Sequence, residues 1–223
     1  MADVVVSLDE LALRVLDTPA NAWSRYVVGI AGPPAAGKST LSVHLRDAIN
    51  ARRPKSAQIA PMDGFHHTNK TLRVRGSIDR KGQPDTFDVA AFLSALERLH
   101  TTPVRQALSW PAYDRALHDP IDNAIDITDC SVAIVEGNYL LLNEPGWAKV
   151  RSYLDEAWFL DEDTDVIEPR LLQRQLDKGN SPDQAKRHVT DSDLTNARLI
   201  ADGVHRADLI LRVHGDGYLM TTR

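Results

Sequence analysis

Twelve residues, GIAGPPAAGKST from Gly29 to Thr40, constrain this chain more than any other stretch. Three glycines cost conformational entropy, and Pro33 and Pro34 donate no amide hydrogen bond, so the stretch neither continues a strand nor sits inside a helix. The RYVVGIAG run before it is short and apolar, which predicts a buried strand over 25–32. A helix is expected to start near Lys38 and run to about Arg52. Gly32 to Ser39 reads G-P-P-A-A-G-K-S and matches the G-x-x-x-x-G-K-[ST] pattern. In that context backbone N–H groups converge on an anion at a helix N-terminus. Lys38 supplies a point charge, the Ser39 hydroxyl can ligate Mg2+, and the small Ala35 and Ala36 leave room for phosphate. Gly32, Pro33, Pro34, Ala35, Ala36, Gly37, Lys38, Ser39 and Thr40 are therefore read as a mould for a nucleoside triphosphate. The competing reading is a glycine-rich turn with a surface lysine.

The rest of the chain supplies the scaffold. Ser7 to Asp17 predicts an amphipathic helix, with Ser7 and Glu10 spaced as a capping box. Strands are expected over 56–63, 131–137, 156–161 and 207–213. Helices are expected from Asp88 to about His100, from Thr164 to about Lys178, and from Ser181-Pro182 onward, where a cap precedes proline. Residues 64–86 read as a long loop and 103–127 as a hairpin excursion. Strands alternating with helices imply an α/β fold, a doubly wound and mainly parallel sheet, here as one domain over 1–223 with a helical lid near 165–190. Ligands in such sheets gather at the carboxyl ends of strands, where Gly32, Asp63 and Glu136 all fall.

Composition narrows the partners. The 223 residues carry a net charge of −5, which argues against nucleic acid as a partner. One cysteine, Cys130, excludes a disulfide framework and fits a reducing compartment. The N-terminus lacks a basic region followed by an apolar stretch, and no run reaches the roughly 18 apolar residues of a membrane span. A cytoplasmic protein without membrane partner is expected.

Phosphate loops serve several chemistries. A GTPase needs a late N-K-x-D guanine reader, whereas the one N-K here, Asn69-Lys70, comes early and lacks the aspartate. A small-molecule kinase needs a carboxylate to take the acceptor's proton, a metal, an acceptor pocket and positive charge over the moving phosphoryl group. Asp63, in PMDGFHH, fits the first task; an ordinary Asp-Gly turn is the alternative. Glu136 can hold Mg2+ or assist the base; a solvated strand-end acid is the alternative. Arg170, Arg174 and Lys178 share one helix face, as a lid closing on phosphate does, or as a solvated face balanced by Glu168 and Asp177. His66-His67 reads as a pocket wall rather than a metal site, and Tyr113, Asp114, Arg115 and His118 as pocket or turn. Asp193 and Asn196 stay open between capping and nucleotide proximity.

Taken together, the phosphate loop, MDGFHH, RKGQPDTFD, PAYDRALHDP, VEGNYLLL and the Arg170/Arg174 helix stand in the order found in P-loop kinases. From about Gly29 to Val213 the chain resembles the phosphoribulokinase, uridine kinase and bacterial pantothenate kinase group. It is most similar to a bacterial nucleoside/nucleotide kinase branch, some of whose members are labelled fructose transport system kinase. The resemblance implies a P-loop kinase using ATP and Mg2+. In it Asp63, Lys38 and Glu136 are catalytic, and Ser39, Glu136 and Asp63 lie at the metal. Arg170 and Arg174 join the nucleotide contacts. His66, Tyr113, Arg115, His118 and Asn138 line the site of a small-molecule hydroxyl acceptor, whether sugar, nucleoside or pantothenate-like. Two departures stand out. The acid that uridine kinases carry before F-D is missing from Lys81-Gly82-Gln83-Pro84-Asp85, while Tyr113 to Asp119 is nearer the uridine kinase form than the pantothenate kinase one. The group includes monomers and dimers; a homodimer is the expectation. The alternative is an ATP-binding regulator or transport accessory with little chemistry.

Overall fold

The computed structural model describes residues 3–18 and 24–222. The chain lays down β1 (Val4–Val6), α1 (Leu8–Asp17), β2 (Tyr26–Ala31), α2 (Lys38–Arg52) and β3 (Ala57–Pro61). There follow α3 (Asn69–Val74), α4 (Val89–Thr101), the hairpin β4 (Ser109–Asp114) and β5 (Asp119–Asp126), then β6 (Val132–Glu136) and β7 (Glu156–Asp161). It ends with α5 (Thr164–Asp177), α6 (Pro182–His188), α7 (Leu194–Ala201), β8 (Leu209–His214) and β9 (Gly217–Thr222). Seven strands form one sheet in the order β1-β9-β8-β7-β2-β6-β3. The run β8-β7-β2-β6-β3 is parallel, and β9 and β1 add antiparallel at one edge.

Strand residues alternate between two cores, because successive side chains leave opposite faces of a sheet. Val28, Ile30, Ile134, Trp158 and Leu160 join α1 and α2, which contribute Leu11, Val15, Leu41, Leu45 and Ile49. Val27, Ala31, Ala133, Val135 and Phe159 join α4, the hairpin root and Trp147 on the other face. Both faces are covered, which is why the central strands are continuous apolar runs. The α1 cap is the predicted one: Ser7 accepts the Glu10 amide at 3.2 Å, and Glu10 Oε2 accepts the Ser7 amide at 2.7 Å.

Register fixes what meets at the carboxyl end. In β2 Ile30 pairs with Glu136 of β6, and Glu136 pairs with Pro61 of β3. The phosphate loop after β2, Glu136 itself and Asp63, two residues past Pro61, therefore leave the sheet at one level. The hairpin is pinned beside them. Trp110 Nε1 donates to the Pro61 carbonyl at 2.9 Å. The buried Arg25 guanidinium donates to the Thr102, Ile127 and Thr128 carbonyls at the hairpin root.

Three expectations are revised. The strand expected over 56–63 stops at Pro61, and Asp63 lies in a 3-10 turn, Met62–Phe65. The 64–86 segment contains α3, capped by Thr68, and two short 3-10 turns. Leu72 is the one buried residue of α3, too little to show as periodicity in the sequence. β1 and β9 were not anticipated, since three valines and a GDG turn give a weak strand signal at an edge. Gly64 permits the tight fit of the Asp63 turn: a Cβ there would lie 2.4 Å from the Pro111 carbonyl oxygen. Gly64→Ala is expected to destabilise the fold by about 1–3 kcal/mol, as over-packing against backbone does. Urea unfolding checks this; a change within about 0.5 kcal/mol, the range of neutral surface substitutions, would show that turn and hairpin are not so tightly joined.

Candidate active site

The phosphate loop is shaped by backbone constraint. Gly32 sits at φ +149°, and a Cβ on it would meet the Leu160 carbonyl oxygen at 2.4 Å. Gly37 at φ +102° and Ala35 at φ +63° also adopt positive angles. For alanine that costs about 1–2 kcal/mol, so the loop holds strain that packing around it must offset. Lys38 opens α2 and is only 8% exposed, with Nζ donating to the Pro33 carbonyl at 2.8 Å. Burial pulls its ammonium down to about 8; the Glu136 and Asp63 carboxylates push upward, while Arg174 adds to the depression. Ser39 Oγ donates to Glu136 Oε2 at 3.1 Å. Burial raises the Glu136 carboxyl above the usual carboxylate range, opposed by Lys38.

Across from this trio, the Asp63 turn presents a carboxylate that makes no hydrogen bond among the described residues. Its carbonyl accepts the His66 amide at 3.2 Å and His66 Nδ1 at 2.8 Å. A carbonyl only accepts, so Nδ1 carries the hydrogen and Nε2 is the free acceptor of the neutral ring. Burial holds His66 below the usual histidine range. The ring packs at a tilt between Phe87, 3.9 Å between centroids, and Tyr113, 4.8 Å. Burial, Asp63 and Asp119 push the Tyr113 phenol up to about 12.

The remaining predicted residues are placed as follows. Arg115 is exposed in the β4–β5 turn, and its charge reaches both Glu136 and Tyr113. His118 is exposed in the same turn at φ +54°, and only its backbone carbonyl is engaged among the described residues, by Lys81 Nζ. Asn138 lies two residues past Glu136, half-buried. Arg170 donates to the Ala35 carbonyl at 3.1 Å and approaches Glu162 at 3.3 Å, so α5 touches the phosphate loop directly. Asp193 lies in a π-helical turn, Val189–Asp193, near Gln175 at 3.4 Å. A cleft of about 430 Å³ separates the lid residues Gln184, Arg187 and His188 from Asp79 and Gln83 of the 64–86 excursion.

Two residues with evident structural duty escaped the sequence reading. Lys81 donates to Asn69 Oδ1 at 2.7 Å, faces Asp119 at 3.5 Å and lies 5.2 Å from the Tyr113 ring centroid, tying the 64–86 excursion to the hairpin turn. The buried Tyr139 donates to the Gly82 carbonyl at 2.6 Å. Neither carries a spacing signal; both act through contacts distant in sequence.

The oxygen donors also limit the metal chemistry. No group of three His, Cys, Asp or Glu side chains capable of caging a metal occurs among the described residues, His66 and His67 included. Ser39 with Glu136, and Asp63 nearby, instead offer a few hard oxygens. That suits Mg2+, which takes one or two protein ligands and completes its shell with phosphate oxygens and water.

A strained glycine loop with a buried lysine, set on a parallel sheet beside the strand-end Glu136 and the Asp63 turn, defines a P-loop kinase. The profile of the phosphoribulokinase/uridine kinase family matches residues 27–218, and the chain belongs to that family. It is 33% identical over 199 residues to the uncharacterized Escherichia coli protein YggC, covering 88% of this chain and 81% of that one. It is 31% identical over 216 residues to a candidate uridine kinase of Schizosaccharomyces pombe, covering 93% and 91%. Among solved structures, a candidate fructose transport system kinase from Silicibacter sp. TM1040 superposes with a TM-score of 0.80 at 38% identity, covering 88% and 95%. The chain is thus an ATP-dependent kinase of a small-molecule hydroxyl. The regulator alternative finds no support in these relatives.

The Lys38 environment yields a pH dependence. Phosphate placed against Lys38 would favour the charged amine, so nucleotide binding there would raise its pKa from about 8. Below that pH the amine is already charged and binding is insensitive to its titration. Above it, binding must take up a proton, and affinity falls by roughly tenfold per pH unit until the bound-state value is reached. Calorimetry in buffers of different ionisation enthalpy measures this. No proton uptake at pH 9 would mean that the lysine stays charged in the empty site.

Proposed function

We propose that ATP lies on Gly32 to Thr40 and that Asp63 accepts the proton of the acceptor hydroxyl as the γ-phosphoryl group moves in line. Asp63 supports this reading by its position: its carboxylate is unpaired among the described residues and close enough to Lys38 for their charges to interact. Lys38, Arg170 and Arg174 carry positive charge to the transferring group. Lys38 leaves the Pro33 carbonyl to do so, and Arg170 already stands over the loop at Ala35. Ser39 and Glu136, with Asp63 nearby, would hold Mg2+. When bound, the ion neutralises charge on the phosphate oxygens.

The acceptor pocket lies between the 64–86 excursion, the hairpin and the end of β6. His66 and Tyr113 make its wall, with His66 Nε2 able to accept from a substrate hydroxyl. Arg115 reaches in from the turn, Asn138 borders the Glu136 end, and His118 serves through its backbone. The lid spans α5 and α6. ATP supply and the unpaired, buried Cys130 accord with the cytoplasm, and no helix among the described residues is long and apolar enough to cross a membrane.

Asp63→Asn is expected to bind ATP with nearly unchanged affinity and to lower kcat by about 10²–10⁴, the usual contribution of a general base. Phosphoryl transfer followed by mass of the product checks it. Turnover near the wild-type rate would remove Asp63 from the role.

A further inference from the structure

The β4–β5 hairpin has a root and a tip that are held separately. At the root Ser109 pairs with Asp126 and Trp110 with Ile125; toward the tip Ala112 pairs with Ile121, Tyr113 with Pro120 and Asp114 with Asp119. Between them the register slips. Asp122, Asn123 and Ala124 stand opposite Pro111, with Asn123 at φ +54°. Such a bulge breaks the ladder and lets the strands bend there. The root is fixed by Trp110 on the Pro61 carbonyl and by Arg25 on the Thr102, Ile127 and Thr128 carbonyls. The tip has no such support. Arg115 to His118 are exposed, and Asp114 Oδ1 accepts only the Ala116 and Leu117 amides of its own turn.

Among the described residues, every hydrogen bond and ion pair that the 114–119 turn makes with another element runs to the 64–86 excursion. Asp119 Oδ1 accepts the Asn69 amide at 2.6 Å, at the start of α3, and faces Lys81 Nζ at 3.5 Å. Lys81 also donates to the His118 carbonyl, and to Asn69 Oδ1 at 2.7 Å. Its side chain is only 16% exposed, so water competes little for these charge-assisted bonds. The excursion that carries Lys81 is itself fixed. The His67 amide donates to the Thr86 carbonyl at 2.9 Å and the Asp88 amide to the Phe65 carbonyl at 2.8 Å, closing its neck. Next to Lys81, the Gly82 carbonyl is held by Tyr139 at 2.6 Å. Lys81 thus joins a fixed excursion to a tip that can bend at the bulge. That tip carries Tyr113, whose ring lies 4.8 Å from His66 and 5.2 Å from Lys81 Nζ.

We propose that Lys81 and Asp119 are positioning residues of the kinase: they latch the hairpin tip onto the 64–86 excursion and so keep Tyr113 against His66, assembling one wall of the acceptor site before any acceptor arrives. Neither residue needs to touch acceptor or nucleotide. The inference rests on the acceptor cleft assigned above.

Hydrogen–deuterium exchange on the full chain, read by mass spectrometry, tests the latch. In Lys81→Met the tip amides, 112–121, are expected to exchange about tenfold faster, the effect of losing a charge-assisted contact. The root, 107–110 and 125–128, is expected to keep its rates. The NOE between the Tyr113 and His66 rings, identified by its loss in Tyr113→Leu, is expected to weaken in the same variant. Lys81→Arg, which keeps a charged donor, is expected to restore both signals. Asp119→Ala is expected to repeat the loss, and the double variant to lose little more than either single one, because the two share one contact. The Kd of a non-hydrolysable ATP analogue stays unchanged throughout. With whichever of uridine, pantothenate, fructose and glycerate yields product, Lys81→Met is expected to raise the acceptor KM about tenfold and leave kcat within about twofold, as loss of uniform binding does. Unchanged tip exchange with the ring contact intact, faster exchange spread evenly over root and tip, or an unaltered acceptor KM would overturn the proposal. Exchange and ring contact are read without acceptor, so they decide this inference even where Asp63→Asn still turns over and the catalytic reading falls.

Discussion

The register of three parallel strands is the constraint on which the rest depends. Ile30, Glu136 and Pro61 lie in one row across β2, β6 and β3. A slip of one residue in any of them would turn its alternating side chains to the other face. It would also move the phosphate loop, the strand-end acid or the Asp63 turn out of line with the other two. The two apolar cores hold that row in place, because each strand commits alternate residues to each face. Folding energy and site geometry are in this sense one problem: the packing that stabilises the sheet also sets the distances at its carboxyl end.

What the row assembles is an electrostatic mismatch suited to a polyanion. Lys38 is buried with a backbone carbonyl as its hydrogen-bond partner, and burial pulls its ammonium down to about 8. Glu136 is half-buried beside a serine hydroxyl, and loss of solvation raises its carboxyl above the usual carboxylate range. Each is poorly solvated, and the two charges partly stabilise each other. A triphosphate supplies the lysine with the anion that the empty loop replaces by Pro33. The strained Ala35 and the close approach of Gly32 to Leu160 show that the fold tolerates local cost in this loop. Beside this row, the tilted packing of His66 between Phe87 and Tyr113 and the Lys81 contacts join segments far apart in sequence.

Much of this was legible in the sequence, and the reasons are physical. The phosphate loop could be read because its chemistry is local: Gly32, Gly37 and Lys38 act within one turn. The parallel core could be read because β2, β6 and β7 are apolar on both faces. The capping box of α1 could be read because Ser7 and Glu10 satisfy each other three residues apart. Illegible were features decided by tertiary partners. β9 covers the edge of β8, and β1 covers the remaining edge of β9. α3 is held by a cap and one buried leucine rather than by a periodic face. Lys81 gains its meaning from Asn69, Asp119 and Tyr113, none of which its neighbours announce. The His118 carbonyl accepts from Lys81 Nζ, a contact across 37 residues that no local pattern announces.

The most direct test of the central claim is a crystal structure of the chain with Mg2+ and a non-hydrolysable ATP analogue. The account predicts that Lys38 Nζ exchanges the Pro33 carbonyl for phosphate oxygen, with the γ-phosphoryl group facing Asp63 across the ends of β2 and β3. Nucleotide bound elsewhere, with Lys38 still on Pro33 and Asp63 remote from the terminal phosphate, would contradict it.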